Sequence, residues 1–486
     1  MEQFDLVVIG GGPAGVTAAL RARELGASVA LVERGKMGGT CTNDGCAPTR
    51  VLAKAARLVR DAQQYADYGL SPATPTVDLA ELISRTQHTI YRLHEKKQLV
   101  QHLEEADVFV WTEAGHGRFV DPHTFVVDEG PRLRAKQFII AAGGHARRLP
   151  FPGAELALTH SDVWSLRKLP GSVVVGGGAA TGCQLTSIFA AFGVQVTVIE
   201  SAPSILAVED EQTSAYMMRA FRRRGIRIEP GSRVERIEKL PEGLRVYYAQ
   251  NGETRSVDAE AAILAVGWVG NVEHLGLEAA GVELDKSGNY ILVDDNLRTT
   301  APHIFAAGDI TGRMMLVQSA AHQARVAAEN AILGTERDYR RYIVPHGGFT
   351  NPEYGSVGLT EKEARAAEDI AVAVVPYADL DRAVIDSRTE GFCKLIVSRR
   401  SHRLLGAHVV GEQALEVVQV VAAGMAADMD VRQLAALELA YPTFTSIVGL
   451  AARQLVRDLK LTPLARQWST LRPVTARAAE WERSIE

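Results

Sequence analysis

The chain begins with an alternation of apolar and polar segments that is typical of a layered α/β protein. Residues 4–9 form a short apolar run that leads into three glycines. A helical stretch at 16–25 follows, and a second apolar run at 28–32 ends in Glu33. Short apolar runs that flank one helix predict a βαβ unit with a parallel sheet.

The same pattern returns in the middle of the chain. Apolar residues at 173–175 lead into a second glycine-rich turn, a helix follows, and an apolar run at 194–199 ends in Glu200. In both copies the acid follows the first glycine of the aligned turn by 23 positions, which sets Gly177 as the first glycine of the second turn. Two copies in the same register predict two nucleotide-binding units in one chain.

The first turn fits the pattern G-x-G-x-x-G at Gly10, Gly12 and Gly15. The first glycine permits the tight turn, the second lets a pyrophosphate approach the backbone, and the third allows close packing of helix on strand. The following helix offers its free N–H groups to the phosphates. Glu33 can accept hydrogen bonds from a ribose diol. Together these residues predict a dinucleotide site.

The second turn carries one change, because Ala179 replaces the middle glycine between Gly177 and Gly182. We expect this methyl group to crowd a pyrophosphate slightly without abolishing the site. Glu200 favours the free 2′-hydroxyl of NAD, whereas NADP usually requires a nearby arginine. Residues 200–206 contain no base, so the sequence predicts NADH as the cofactor and makes NADPH less favourable.

Two of the four cysteines form a candidate reactive pair. Cys41 and Cys46 lie between glycines and precede a helical stretch, and four cysteines in 486 residues do not form a disulfide framework. A thiolate near a helix N-terminus has a low pKa and attacks disulfides. The other two, Cys183 and Cys393, lie in helix-like and strand-like segments and are expected to be structural.

Composition excludes several classes of protein. The chain is 47% hydrophobic and 23% charged, with a net charge of -5 spread along its length. This balance argues against a nucleic-acid partner, and no apolar run reaches the roughly 18 residues of a membrane span. The apolar strand at 4–9 leaves no room for a signal peptide. We therefore expect a multidomain cytoplasmic protein.

Residues 38–50 carry a resemblance to a known family. They match its redox motif, G-G-T-C-x-N-x-G-C-x-P-[ST]-K, except at the last position. The chain thus resembles the pyridine nucleotide-disulfide oxidoreductases, which include dihydrolipoamide dehydrogenase, glutathione reductase and mercuric reductase. Residues 296–309 resemble the family's second FAD segment, and residues 349–360 resemble the start of its dimerisation domain. The resemblance covers nearly the whole chain.

The resemblance implies an α/β fold with two Rossmann-like dinucleotide-binding domains, for FAD and NAD, and a C-terminal α+β dimerisation domain. The expected boundaries are 1–150 for the FAD domain, 151–268 for the NAD(P) domain, 269–340 for the return to the FAD domain, and 341–486 for the dimerisation domain with an extra tail at 461–486. A helical hairpin is expected between residue 49 and about residue 110. A homodimer is implied as well.

The resemblance also assigns roles to single residues. Cys46 would lie against the flavin as its thiolate, and Cys41 would face the substrate. The residues expected to bind FAD are Gly10, Gly12, Gly15, Glu33, Gly39, Thr40, Gly115, Ala142, Gly143 and Asp309. The residues expected to bind NAD are Gly177, Ala179, Gly182, Glu200 and Gly267. No metal site is expected, since no histidine has metal-ligand spacing.

The family's acid–base dyad is missing. Its H-P-T-x-x-E signature supplies a histidine for the substrate-facing thiol of the partner subunit, but Tyr441 and Ser446 replace the histidine and the glutamate here. Tyrosine is a poor base at neutral pH but a usable hydrogen-bond donor. Mercuric reductases also carry tyrosine there and add a C-terminal cysteine pair, yet no cysteine follows Cys393.

Three further positions near the expected flavin differ from the family. Arg50 replaces a lysine, and Gln184 replaces the glutamate that commonly pairs with it. A cation without its anion would raise the potential of the flavin. Asp44 introduces a carboxylate between the two cysteines, which should oppose thiolate formation.

Three functions therefore remain open. The leading one passes electrons from NADH through FAD and the Cys41–Cys46 disulfide to an unidentified acceptor, which is a small-molecule or protein disulfide or another electron acceptor. A second passes electrons directly from the flavin to a quinone or a metal ion. The third is a redox-sensing flavoprotein without turnover.

Overall fold

The structure, a computed structural model, describes residues 2–128, 130–340 and 343–463. These residues form two compact units. Unit 1 comprises residues 1–208 and 218–344, and unit 2 comprises residues 209–217 and 345–486. Most of the tail predicted at 461–486 lies outside the described residues.

Twenty-one strands occur in the described residues. In chain order they are β1 (Glu2–Ile9), β2 (Val29–Val32), β3 (Val108–Trp111), β4 (Gly117–Asp121), β5 (Thr124–Val127), β6 (Arg132–Ile140), β7 (Gly144–Ala146), β8 (Ser172–Gly176), β9 (Gln195–Glu200), β10 (Arg227–Pro230), β11 (Ser232–Lys239), β12 (Leu244–Gln250), β13 (Glu253–Ala259), β14 (Ala261–Leu264), β15 (Trp268–Gly270), β16 (Ile304–Ala306), β17 (His346–Gly348), β18 (Glu353–Gly358), β19 (Ile370–Pro376), β20 (Phe392–Ser398) and β21 (Leu404–Gly411).

Fourteen α-helices occur in the same residues. They are α1 (Pro13–Glu24), α2 (Gly39–Asn43), α3 (Cys46–Ala62), α4 (Leu79–Lys97), α5 (Leu99–Glu105), α6 (Ala180–Ala191), α7 (Glu211–Arg223), α8 (Leu277–Ala280), α9 (Val317–Leu333), α10 (Glu361–Ala367), α11 (Asp381–Ile385), α12 (Ala414–Ala426), α13 (Val431–Ala436) and α14 (Ser446–Asp458). No described helix is both long and apolar enough to cross a membrane.

The predicted βαβ units form two separate parallel sheets in unit 1. In the first, β1 lies between β2 and β6, with β3 beyond β2 and β16 beside β6, all parallel. In the second, β8 lies between β9 and β14, with β10 beyond β9. In β1, Leu6, Val7 and Val8 are fully buried, which is why the C-terminal half of this strand is continuously apolar instead of alternating.

Antiparallel strands complete both units. In unit 1, β4 and β5 extend the first sheet, β11 to β13 form a three-stranded meander, and β7 pairs with β15. In unit 2, five strands form one antiparallel sheet in the order β17, β18, β21, β20 and β19. The interior strand β20, between β21 and β19, is buried along its whole length.

A short segment at 209–217 belongs to unit 2 although the chain on both sides of it belongs to unit 1. Its anchor is Asp210, whose carboxylate accepts hydrogen bonds from the Lys394 ammonium at 2.9 and 3.0 Å. Lys394 is only 3% exposed and also pairs with Glu361. A buried lysine is tolerated because two carboxylates surround it.

The predicted elements are confirmed, with differences at their ends. The first helix begins at Pro13 and not at residue 16, because proline at the first helical position loses no intrahelical hydrogen bond. The predicted hairpin between residues 49 and 110 contains the packed helices α3 and α4 and also α5. The sequence missed α5 because Gln98, with a positive φ of 41°, interrupts the helical pattern.

Candidate active site

The two glycine-rich turns have the same backbone geometry. A Cβ atom on Gly15 would lie 1.7 Å from the carbonyl oxygen of Gly10, and one on Gly182 would lie 1.9 Å from that of Gly177. Both first glycines have positive φ, 109° and 101°. These contacts require glycine for close packing of helix on strand, so the predicted register of the second turn agrees with the structure.

The middle position of each turn does not require glycine. Gly12 and Ala179 both cap the following helix, with φ/ψ of −76°/−175° and −79°/−172°. This is ordinary extended backbone, so Ala179 introduces no strain. A Cβ atom on Gly12 would meet only Gly39, at 3.7 Å. The space in front of Gly12 is therefore free to take a phosphate group.

The acids at the strand ends also correspond. The Glu33 carboxylate accepts the N–H groups of Gly11 at 2.6 Å and Gly35 at 2.7 Å. The Glu200 carboxylate accepts the N–H groups of Gly178 at 2.5 Å and Ala202 at 2.6 Å. A carboxylate has about four acceptor positions, so each acid can still bind a ribose diol.

The other residues expected at FAD fall into two groups. Gly39 and Thr40 begin α2, and the backbone of Gly39 approaches that of Gly12 closely enough that a Cβ on Gly39 would lie 2.9 Å from the Gly12 Cα. Asp309 follows β16, and burial raises its pKa. Its charge also acts on Cys41 and Cys46, so the structure brings Asp309 close to the cysteines.

The remaining predicted positions lie where the chain passes between segments. The side-chain amide of Asn271 donates to the Ala142 carbonyl at 2.7 Å, and its backbone N–H donates to Gly143 at 3.0 Å. Gly267 has a φ of 121° and lies at the return crossing just before β15. Gly115, with a φ of 73°, lies in the loop between β3 and β4. Asn271 carries no sequence signal and was not predicted.

We call residues 38–46, which carry both candidate cysteines, the cysteine loop. Cys41 lies in the short helix α2 and is half-buried, and Cys46 is the exposed first residue of α3. Thr40 closes the loop, since its carbonyl accepts the N–H groups of Asp44 at 3.0 Å and Gly45 at 2.7 Å. The free N–H groups at the start of α3 favour a negative charge on Cys46.

The thiols of Cys41 and Cys46 form a hydrogen bond with each other, and this bond shifts their two pKa values in opposite directions. The hydrogen bond from Cys41 lowers the pKa of Cys46 to about 7, although partial desolvation of the sulfur, which persists while the residue as a whole is exposed, opposes the shift. The same hydrogen bond, together with burial, raises the pKa of Cys41. Cys46 therefore carries the thiolate while Cys41 retains the proton.

Asp44, the unexpected acid in the cysteine loop, has partners of its own. Its carboxylate accepts the Ser161 hydroxyl at 2.5 Å and lies 3.9 Å from His160 Nε2. Its carbonyl accepts the Trp164 indole N–H at 2.8 Å. The Asp44 carboxylate is thus satisfied by the segment at 160–164, which comes just before β8. Its effect on thiolate formation stays a prediction.

The last turn of α4 holds the other side of the cysteine loop. The Lys97 ammonium donates to the Thr42 hydroxyl at 3.0 Å, and His94 Nε2 lies 2.8 Å from Asn43 Oδ1. The Asn43 amide nitrogen donates to Met37 O at 3.1 Å, so Asn43 Oδ1 is the acceptor and His94 Nε2 carries the proton. Neither Lys97 nor His94 belongs to a recognisable motif.

Arg50 and Gln184 lie on α3 and α6, two helices that pack against each other. Arg50 is half-buried and comes one helical turn after Cys46, so both lie on the same face of α3. The Gln184 amide donates to Ala180 O within α6 at 3.2 Å. The effect of these two residues on a flavin remains a prediction.

Cys183 and Cys393 are fully buried, as expected for structural residues. Burial raises the pKa of Cys393 to about 12 and that of Cys183 further. His408 is hydrogen-bonded to Leu359 O at 3.0 Å, which agrees with a structural role. Within the described ranges, no group of three or more histidine, cysteine and acidic side chains could hold a metal ion.

Tyr441, in unit 2, is hydrogen-bonded to a carboxylate that the sequence did not predict. Its hydroxyl donates to Asp381 Oδ2 at 2.9 Å, and this bond raises the pKa of Tyr441. The side chain is 75% exposed and lines a cavity of about 300 Å³ that Arg382 and Ser446 also line. Tyr441 is thus an oriented hydroxyl group that holds its proton more firmly than free tyrosine.

Comparison with known proteins defines the class. Residues 4–324 match the family described as pyridine nucleotide-disulphide oxidoreductase, and residues 344–452 match its dimerisation domain. The chain belongs to this family of FAD-dependent NAD(P)H-disulfide oxidoreductases. The predicted fold, with two dinucleotide-binding domains and a C-terminal dimerisation domain, is confirmed.

Similar proteins within the family differ in activity. The chain is 35% identical over 435 residues to dihydrolipoyl dehydrogenase of Zymomonas mobilis, covering 86% of this chain and 90% of the relative. It is 31% identical to mercuric reductase of Lysinibacillus sphaericus, covering 94% and 84%. The Cu(II) complex of the HOCl-induced flavoprotein disulfide reductase RclA from Escherichia coli matches with a TM-score of 0.82 and 27% identity, covering 94% of this chain and 100% of that one.

The glycine contacts predict opposite outcomes for two similar substitutions. Gly15→Ala should destabilise the fold by more than about 3 kcal/mol, because backbone atoms must move to admit the Cβ. Gly12→Ala should fold normally but bind FAD about tenfold more weakly. Flavin content after purification and thermal unfolding measure the two effects. Ala179→Gly is the control and should leave FAD retention unchanged, whereas equal stability of the Gly12→Ala and Gly15→Ala proteins would contradict the packing argument.

Proposed function

We propose that this chain is an NADH-dependent reductase that delivers electrons through FAD to a disulfide formed by Cys41 and Cys46, and from there to a disulfide acceptor. One observation carries the proposal. Cys46 occupies the first position of α3 and has a pKa of about 7, while the adjacent Cys41 holds the proton. A pair divided into thiolate and thiol is the reduced form from which disulfide exchange starts.

The first glycine-rich turn, Glu33 and Asp309 would hold FAD, which would supply the disulfide with the two electrons of NADH. The Cys41–Cys46 bond then breaks, leaving the thiolate on Cys46 and, after uptake of one proton, the thiol on Cys41. Cys41 loses its proton and attacks the acceptor disulfide, and the first acceptor thiol leaves. Cys46 displaces the second, which re-forms the Cys41–Cys46 bond. The net reaction consumes NADH, one proton and one disulfide, and it yields two thiols.

We propose that the working form is a homodimer in which Tyr441 of one subunit faces Cys41 of the other. The match to the family's dimerisation domain and the high exposure of Tyr441 support this arrangement. In it, Tyr441, whose hydroxyl proton is held by Asp381, would contact the acceptor but would not remove the proton from Cys41. Deprotonation of Cys41 is then the step that this chain assists least.

Anaerobic titration with NADH tests the proposal. Reduction should produce a long-wavelength band from the Cys46 thiolate beside the flavin, and the band should disappear when a disulfide acceptor is added. A band that forms and is then unaffected by small-molecule and protein disulfides would refute disulfide reduction. A bleached flavin without any such band would refute the cysteine pair itself.

A second candidate is direct reduction of a metal ion at the flavin. It is favoured by the similarity to mercuric reductases and to RclA, whose structure is described as a Cu(II) complex. In that case Cu(II)-dependent NADH oxidation should persist when Cys41 and Cys46 are both replaced by serine. Loss of Cu(II)-dependent NADH oxidation in the double variant would instead show that metal reduction requires the cysteine pair.

NADH should be used at least about tenfold more efficiently than NADPH, a difference of about 1.4 kcal/mol. The Glu200 carboxylate lies at the end of β9 against the Gly178 N–H, where it would repel the 2′-phosphate of NADPH. The measurement is kcat/KM for both nucleotides with the same artificial electron acceptor. Glu200→Gln should reduce the preference for NADH over NADPH. Glu33→Gln, the matched change after the first glycine-rich turn, should leave this preference unchanged. A tenfold preference for NADPH would contradict the assignment.

A further inference from the structure

The last turn of α4 holds two consecutive residues of the cysteine loop. Lys97 donates to Thr42, the residue after Cys41, and His94 donates to Asn43, the residue after that. Thr42 is buried, so its hydroxyl position is fixed by packing. Two hydrogen bonds from one helical turn therefore determine where the Lys97 ammonium lies relative to the cysteines.

We propose that Lys97 is a positioning residue for the reactive cysteines, which anchors the loop through Thr42 and supplies positive charge to the thiolate in a chain that lacks the family's histidine–glutamate dyad. The inference rests on the proposed function, because it assigns the charge to the same cysteine pair. Lys97 acts on the pair from outside and takes no part in bond making.

The charges around the pair support this role. The hydrogen bond between the two thiols and their burial have the largest effects on the pKa values of Cys41 and Cys46. In addition, the Lys97 ammonium lowers both pKa values, whereas Asp309 raises both. Burial, and after it Lys97 and Lys36, lower the pKa of His94, which disfavours a positive charge on its ring. On α3, Arg50 is a further cation on the same face as Cys46. Lys97 is thus the cation on α4 whose charge opposes the effect of Asp309 on the pKa values of the two cysteines.

The position of Lys97 suits this electrostatic task. It is the final residue of α4, where a cation also offsets the partial negative charge of the helix C-terminus. Its side chain is exposed, so its effect on a thiolate is that of a partly screened ion pair, well below that of a buried one. A screened charge has a specific consequence, because added salt must weaken it.

The test is the pH dependence of alkylation of the reduced holoenzyme by iodoacetamide, followed between about pH 5 and pH 9. Lys97→Met should raise the midpoint by about half a pKa unit and slow alkylation about threefold below the midpoint. Lys97→Arg should restore most of the wild-type profile. The difference between wild type and Lys97→Met should shrink at about 1 M salt.

Lys96→Met is the matched control, since Lys96 is adjacent in α4 but points to another part of the helix surface. It should titrate as wild type does. Thr42→Val removes the hydroxyl that Lys97 binds while keeping the charge, and it should shift the midpoint in the same direction by a smaller amount. Flavin content and thermal unfolding verify that each variant is folded.

The outcomes separate this inference from the proposed function. A wild-type profile near neutral pH together with an unchanged Lys97→Met profile would overturn the role of Lys97 alone. A shift that does not respond to salt would overturn the role of its charge. A wild-type enzyme without any thiol titrating below the ordinary range of about 8.5 would overturn the proposed function itself.

Discussion

Replacing Cys46 with serine should abolish NADH-dependent reduction of disulfides and halve the electron capacity of the protein. FAD takes up two electrons and the disulfide two more, so the wild type should accept four per flavin and Cys46→Ser only two. Serine cannot form a disulfide, and its hydroxyl does not provide the thiolate that the start of α3 stabilises. Anaerobic titration with dithionite, read from the flavin spectrum, counts the electrons.

Cys183→Ala is the control for this experiment. Cys183 is fully buried in α6, and its thiol donates to Gly178 O at 3.1 Å, so its loss should leave the uptake at four electrons. NADH oxidation by artificial acceptors should survive in Cys46→Ser, because those acceptors need only the flavin. If the wild type itself stops at two electrons, the cysteine pair is not redox-active.

Lipoamide and glutathione disulfide should be poor substrates, about 10²–10⁴-fold below a relative that carries the dyad. Cys41 needs its proton removed, and its hydrogen bond to Cys46 and its burial both raise its pKa. Tyr441 cannot take that proton near neutral pH, because its bond to Asp381 raises its own pKa. Steady-state kinetics with lipoamide between about pH 6 and pH 9 test this.

The double variant Tyr441→His with Ser446→Glu should recover part of the deficit and gain a pH profile with a limb near the histidine pKa. Ser446 begins α14, where a glutamate is favoured by the helix dipole. Tyr441→Phe is the matched control, and it should change lipoamide turnover little because the hydroxyl carries no proton in the reaction. Wild-type turnover equal to that of a dyad-bearing relative would show that another group takes the proton.

The sequence predicted the fold because the fold depends on local patterns. The apolar runs of β1 and β8 and the glycines at fixed spacing encode strand, turn and helix in continuous stretches of chain. The structure gives the first and last glycines of both turns a backbone contact that a Cβ would violate, as at Gly15 and Gly182. The spacing of the acids was equally informative, because Glu33 and Glu200 bind the backbone of their own turns.

The sequence could not predict the hydrogen-bond partners of the cysteine loop or of Tyr441. Lys97 lies 55 residues from Thr42, and Asp381 lies 60 residues from Tyr441. These contacts arise only when helices pack, and no spacing rule connects such distant positions. Asp44 shows the same limit. Its charge was evident from the sequence, but its hydrogen bond to Ser161 was not.

The segment at 209–217 restricts how this protein can be divided or exchanged between relatives. A recombinant fragment that starts at residue 345 would contain the five-stranded sheet and most of unit 2 but would lack Asp210. Lys394, buried in β20, would lose the carboxylate that accepts two of its hydrogen bonds and keep only Glu361. Chimeras that graft a foreign C-terminal half therefore need to carry residues 209–217 together with the segment from 345 onward, because unit 2 is built from both stretches.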